Sequence, residues 1–166
     1  MPPDLILHDE RVVLRPSREQ DVDALVAILA EPEVMRWWRT NTHDDVREEL
    51  HAGLTILEDD AVAGWLLVHE ETEPGYRHVE FDIALTTALH GGGYGREALR
   101  VIIAHCIAHG HHRFAISPEA GNERAIRSYA AVGFKPVGIV REQELGADGI
   151  WHDGLMMDLL ARELIP

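Results

Sequence analysis

The chain has 166 residues, 46% of them hydrophobic, which suits one domain, residues 1–166, with a full-sized core. It carries 29 acidic residues against 15 basic ones, net −14. That balance argues against nucleic acid as partner, because such binding needs clustered Lys and Arg, and it is compatible with a cationic small-molecule substrate. No apolar run approaches the roughly 18 to 20 residues that span a membrane. The opening MPPDLILHDE has no basic region leading into a long apolar segment, and a lone cysteine, Cys106, rules out an internal disulfide; a cytoplasmic protein is expected.

Arg11 to Pro16 alternates as a short strand. Ser17 is an N-cap candidate with Gln20 three residues on, and Val22, Leu25, Val26 and Leu29 give the following helix one apolar stripe, ended by Pro32. Val34 to Trp38 is a short apolar turn or helix. Thr42 to Asp44 caps a second helix expected to run through about Ile56. Asp59-Asp60 is a tight turn, Ala61 to Glu70 a strand, Glu71 to Gly75 a polar turn, and Arg77 to Leu85 another strand. A helix over Gly95 to His109, stopped by Gly110, leads to a strand over Arg113 to Ser117. A further helix covers Asn122 to Val132 and is punctuated by Gly133. Lys135 to Arg141 and Ile150 to Leu160 form an antiparallel hairpin around a Gly146–Gly149 turn. Strands and helices intermix, so an α/β (α+β) domain is expected, with a central, mostly antiparallel twisted sheet flanked by about four helices.

Residues 90–134 hold the chemistry. Four glycines, Gly91, Gly92, Gly93 and Gly95, stand directly before a helical pattern. Such a loop suits a phosphate: the backbone can approach closely, and first-turn N–H groups point outward at the positive end of the helix dipole. Upstream, Glu80 and Asp82 are two apart on one strand and share a face. This is a natural place for an amine and its proton, or simply a pair of solvated charges. His105, His109, His111 and His112 crowd one helix end, but no His-Glu-x-x-His motif or cysteine partner accompanies them, and no metal is expected. Cys106 lies in an apolar helix and reads as buried rather than nucleophilic.

His90-Gly91-Gly92-Gly93-Tyr94-Gly95 resembles the acetyl-CoA loop of the GNAT superfamily of N-acetyltransferases, with His90 where that pattern usually has Gln or Arg. Asn122, Ala125, Tyr129, Gly133 and Phe134 resemble its second signature, Asn-x-x-Ala-x-x-x-Tyr-x-x-x-Gly-Phe. Val34-Met35-Arg36-Trp37-Trp38, the Asn-x-x-Ala-Ile-Arg-x-Tyr stretch and the Trp151–Leu159 strand are most similar to aminoglycoside acetyltransferases of the 6′-N type. The resemblance implies a single GNAT-like domain that acetylates an amine of an aminoglycoside with acetyl-CoA and so gives antibiotic resistance. A 2′-amine and a kasugamycin-like drug stay open as acceptors. Alternatives are acetylation of a ribosomal-protein N-terminus or small amine, and a non-catalytic acyl-CoA-binding module. The oligomeric state, monomer or homodimer, is open.

The resemblance also implies roles. The donor would be held by His90, Gly91, Gly92, Gly93, Tyr94, Gly95 and Arg96, and by the backbone of Ile83, Ala84 and Leu85. Asn122, Ala125 and Tyr129 would complete that wall, with Asn122 serving as helix cap, ligand or both. Tyr129 is the candidate acid for the departing thiol, and Asp82 the preferred base over Glu80. Trp37 and Trp38 would wall the acceptor pocket, at least one of them through core packing, and cationic amines interact with indole faces. Glu119, Asp153 and Glu31 are weaker candidates for ammonium contacts.

Overall fold

Eight strands form one sheet in a computed structural model that describes residues 4–38, 42–146 and 148–166. The strands are β1 (Leu7–His8), β2 (Val13–Pro16), β3 (Gly53–Glu58), β4 (Ala61–Glu71), β5 (His78–Leu85), β6 (Arg113–Ile116), β7 (Lys135–Leu145) and β8 (Trp151–Leu160). Their order across the sheet is β1-β2-β3-β4-β5-β6-β8-β7, and β5–β6 is the parallel pair in an otherwise antiparallel set. Five α-helices cover the faces: α1 (Val22–Leu29), α2 (Pro32–Met35), α3 (His43–Glu49), α4 (Tyr94–Ala108) and α5 (Glu123–Ala130). The expected α/β domain on one mixed sheet is what forms, and the helix beyond the expected four is the single-turn α2.

Two cores flank the sheet. On one side α4 sets Leu99, Ile102 and Ile103 against Leu14, Leu66, Phe81 and Phe114. On the other, Leu25 and Leu29 of α1 and Val46 of α3 meet Trp65, Leu67 and Ala84. Gly133 ends the α5 turn at φ +119, where a Cβ would also run into the Glu163 carbonyl, so no other residue fits without moving the chain.

Three local expectations need correction. The helix expected to run to about Ile56 stops at Glu49, and Gly53–Glu58 is β3. Leu54, Thr55 and Ile56 are buried on both faces, so this strand lacks the alternation that marks a half-exposed one. Ser17 does not cap a helix. Its Oγ accepts from Trp65 Nε1 (3.1 Å) and bonds the Thr55 hydroxyl (3.0 Å), while a 3-10 turn, Glu19–Asp21, leads into α1 with Asp21 accepting from the Arg18 N–H. Pro32 occupies the first turn of α2, where its missing N–H costs nothing, and α1 has already ended at Leu29. The Val34–Trp38 segment forms as expected, helical at Val34 and Met35 and a turn beyond them. The turn at Asp59-Asp60 forms with both residues at positive φ, 47° and 63°, the backbone of a tight hairpin. The β7–β8 hairpin also forms, with position 147 of its expected turn outside the described residues.

Asp21 ties α1 to the sheet. Its side chain is 2% exposed and takes a two-pronged bond from Arg15 (both 2.7 Å), with further bonds from the Arg18 N–H and Thr55 Oγ1. Burial works to raise this carboxyl, but the bonds from Arg15, Arg18 and Thr55 outweigh it and hold the pKa down. Removing one partner strands the other in a dry site. Asp21→Ala is expected to cost about 3–5 kcal/mol in urea unfolding. The contribution of Asp21 is complete above the unfolded carboxylate value of ~3.9 and is lost as pH falls through the depressed folded value. An Asp21→Ala cost below about 1 kcal/mol would show that the pair contributes little.

Candidate active site

The site begins where β5 and β6 part. Their parallel pairing runs Val79–Phe114, Glu80–Ala115 and Phe81–Ile116, then stops. β5 continues to Leu85 with β4 alone beside it, while the chain after β6 turns away through Ser117-Pro118. The opening is a cleft of about 790 Å³ that Asp82, Ile83, Ala84 and Leu85 line on the β5 side. Ser117, Pro118, Glu119, Asn122 and Tyr129 line it on the other. Trp37, Trp38, Glu33 and Asp45 approach from α2, α3 and the turn between them, and Gln143 and Glu144 from β7.

A second cleft of about 260 Å³ lies along the glycine loop, lined by Gly91, Gly93, Gly95, Arg96, Arg127 and Ser128 among others. The two share the wall Ile83, Leu85, His90, Arg124, Ala125 and Tyr129. Together they make one path from the α4 N-terminus to Asp82.

Gly93 is the N-cap of α4 at φ +91, a left-handed backbone that side chains disfavour. The loop is braced from behind. Arg11 donates to Glu97 and to the Gly92 carbonyl (3.1 Å), and its guanidinium lies 4.2 Å from the centre of the Tyr94 ring. Tyr94 in turn bonds Glu58 (3.3 Å). Tyr94 therefore packs under the loop rather than lining either cleft, while Gly91, Gly93, Gly95 and Arg96 face the second one. A helix start with no side-chain cap, opened by glycine and facing a cleft, fits a phosphate chain.

Asn122 Oδ1 caps α5 through the Ala125 N–H (3.1 Å), and the same residue lines the larger cleft, so cap and wall coincide. Tyr129 touches both clefts while its ring is 9% exposed and packed edge-on against Phe134. Burial pushes its phenol upward, the charge on Asp82 adds to this, and Arg124 opposes it. The hydroxyl keeps its proton at neutral pH.

Asp82 lines the cleft, with 56% of its side chain exposed. Protein walls surround that opening, and this desolvation raises its carboxyl; His69, with Nε2 at 3.8 Å, opposes the rise, and Glu80 and Glu49 add to it. Glu80 shares the face, as period two requires, but it lies one step out, bonded to His78 (3.2 Å) and outside the cleft lining.

The remaining candidates divide. Trp38 packs tilted against the buried Trp65 with ring centres 6.2 Å apart, and Trp37 lies under the Arg36 guanidinium (4.6 Å), so one indole is anchored in the core while both edge the cleft. Glu119 lines the cleft beside His152, which it meets at 3.3 Å. Asp153 does not reach the cleft: it caps the Glu142 N–H (2.8 Å). Glu31 is also drawn away, bonding Thr86 Oγ1 (2.8 Å) and the Thr87 N–H (2.7 Å). Burial pushes the Cys106 thiol up to about 12, which leaves it inert. Sequence reading missed Arg11, Arg124, Glu33, Asp45, Gln143 and Glu144. Each comes from a different element or carries no local pattern, and Arg124 alone lay inside a noted motif.

Comparison with known proteins places this geometry. No functionally curated protein matches the sequence. RimJ of Mycobacterium smegmatis, solved with CoA-disulfide, superposes with a TM-score of 0.84 at 24% identity, covering 99% of this chain and 91% of that one. A GNAT-family acetyltransferase of Bacillus anthracis gives 0.82 at 16%, over 96% and 100%. A ribosomal-protein-alanine N-acetyltransferase of Brucella melitensis gives 0.73 at 24%, over 89% and 98%. These likenesses establish the fold, and none of the three names an aminoglycoside. The sequence model of the acetyltransferase (GNAT) domain matches residues 11–135, three-quarters of the chain, and with a parted β5–β6 pair beside a glycine-opened helix the chain belongs to the GNAT acetyltransferase family.

Proposed function

We propose that the chain acetylates a primary amine on a multiply cationic acceptor, and that an aminoglycoside is the acceptor class its cleft suits best. GNAT acetyltransferases use acetyl-CoA. The observation that carries the acceptor reading is the cleft's charge. Among the described residues Glu33, Asp45, Asp82, Glu119 and Glu144 line it from five separate parts of the chain, with Arg124 as the guanidinium that lines it. A compact polyamine meets such walls from several sides, and the indoles of Trp37 and Trp38 add faces for a sugar ring or an ammonium. Long-range attraction to a chain of net −14 speeds the encounter.

Bound acetyl-CoA supplies the acetyl group as a thioester and departs as a thiol. Asp82 takes the proton from the acceptor ammonium, directly or through a water, since a carboxylate whose pKa is raised is a better base. Tyr129 gives its proton to the departing sulfur, its burial keeping that proton in place until then, and the phenolate regains one from the nitrogen as the amide forms. The edge of β5 at Ile83 and Ala84 is free of β6 and suits the amide-bearing arm of the donor, whereas the Leu85 carbonyl is occupied by His90 (3.0 Å). Asn122 closes the opposite wall.

A second reading is acetylation of a basic protein's N-terminal α-amine. What favours it is the Brucella melitensis neighbour, whose name specifies a ribosomal-protein alanine. A cationic N-terminal segment would meet the same carboxylates.

Asp82→Asn is expected to lower kcat by at least about 100-fold and to abolish the acid limb of the kcat/KM profile. The sign follows from the raised carboxyl: activity falls as pH drops through its pKa, because the protonated acid no longer accepts. A variant that changes KM alone would make Asp82 an ammonium anchor instead. Tyr129→Phe should keep the fold and CoA affinity while slowing turnover by about 10- to 1,000-fold. Unchanged turnover, with chemistry limiting, reduces Tyr129 to packing. Thiol release from acetyl-CoA, measured across an aminoglycoside panel and a set of basic N-terminal peptides, decides the acceptor. Turnover of at least one aminoglycoside, falling as salt rises, is expected. Turnover of peptides alone would replace the first reading by the second.

A further inference from the structure

The shared wall of the two clefts holds a guanidinium whose charge no carboxylate cancels. Arg124 opens the first turn of α5, is exposed, and lines both clefts. Its Nη1 donates to His90 Nδ1 at 2.8 Å. Arginine has donors only, so Nδ1 must be the accepting nitrogen. The ring proton then sits on Nε2 and is donated to the Leu85 carbonyl at 3.0 Å. One imidazole thus links three elements: the end of β5, the entrance to the glycine loop and the start of α5.

Arg96, in the first turn of α4, lines the second cleft alone, whereas Arg124 reaches both; three other arginines are committed elsewhere. Arg11 is committed to Glu97 and the Gly92 carbonyl behind the loop. Arg127, one turn along α5, pairs with Glu123 at 3.0 Å. Arg100 bonds the Ile165 and Ala131 carbonyls. Among the described residues no ion pair takes the charge of Arg124. A chain of net −14 must bind a polyanionic donor, so a cation left unneutralised on the donor path answers that repulsion locally.

We propose that Arg124, held in place by His90, binds the pyrophosphate of the acetyl donor together with the backbone of the Gly91–Gly95 loop. The fork of the guanidinium matches phosphate oxygens, and the bond to the ring directs it toward the loop instead of into solvent. Arg124 is the binding group, and His90 is a positioning residue that acts through it. This assignment is independent of which amine is acetylated.

The test is calorimetric titration with CoA and with dephospho-CoA, which keeps the pyrophosphate but lacks the 3′-phosphate, and NMR titration with pantetheine, which lacks both. Arg124→Gln should weaken CoA and dephospho-CoA alike, by about 10- to 100-fold, the span of a charge-assisted bond. Pantetheine should change by less than about 2-fold. Arg124 is exposed, so the thermal midpoint should hold. His90→Leu should weaken both nucleotides to a lesser degree, and His90→Gln, whose amide can accept from Arg124 and donate to Leu85, should restore them. Undiminished CoA affinity in Arg124→Gln overturns the assignment. So does an equal loss for pantetheine, which would mean a change in the shape of the arm's channel. A loss seen for CoA but not dephospho-CoA also overturns it, since the guanidinium would then serve the 3′-phosphate. Failure of His90→Gln to restore what His90→Leu loses removes His90 from the assignment.

Discussion

The molecule's function depends on a parallel strand pair that ends early. β5 and β6 lie side by side only as far as Phe81 and Ile116, and Pro118 then carries the second chain away. Backbone groups that a continuous sheet would have paired are left along Asp82–Ala84, facing an opening instead of a neighbouring strand. A sheet edge inside a protein is costly to leave bare, and the cheapest way to satisfy it is an extended, amide-bearing ligand laid along it. The same parting brings Asp82 from β5 and Tyr129 from α5 to opposite walls of one space.

Charge is divided along that space. Toward α4 the lining is glycine backbone with Arg96, Arg124 and Arg127; toward α2 and β7 it is carboxylates and indoles. Asp82 and Tyr129 stand near the boundary, and the carboxylate charge helps keep the phenol protonated. In an acidic protein the acceptor end needs no special arrangement, since acidity is the background. The donor end is where design is visible. Arg11 is neutralised by Glu97 and braces the loop, whereas Arg124 rests on an uncharged ring nitrogen and keeps its charge for a partner.

Rigidity on the acceptor side comes from two polar ties, the first of them buried. Asp21 holds the start of α1 to β2 and β3 through Arg15 and Thr55, and Glu31 holds its end to Thr86 and Thr87 just past β5. Helix α1 is therefore fixed at both ends, and α2 with Trp37 and Trp38 follows directly from it. Truncating either carboxylate would loosen the cleft wall without touching any group that meets a substrate.

What could be read from the residues follows how local each signal is. Gly93 before α4, Asn122 before α5, the pairing of Glu80 and Asp82 on one face, and the Asp59-Asp60 turn depend on contacts within a few positions, and all four are present. β3 was read as helix because strand periodicity records an exposed face and this strand has none. Ser17 and Glu31 looked like a cap and a substrate contact, but their oxygens are claimed by Trp65 and Thr86, far away in sequence. By itself the sequence determined the family motifs, the acidity and the elements on either side of the cleft. Only the tertiary structure decided which carboxylate of the pair enters the cleft, that Asp153 does not, and that Arg124 meets His90. Those outcomes depend on where β6 leaves β5 and on how α5 packs, and a contact between residues 34 apart leaves no trace in local spacing.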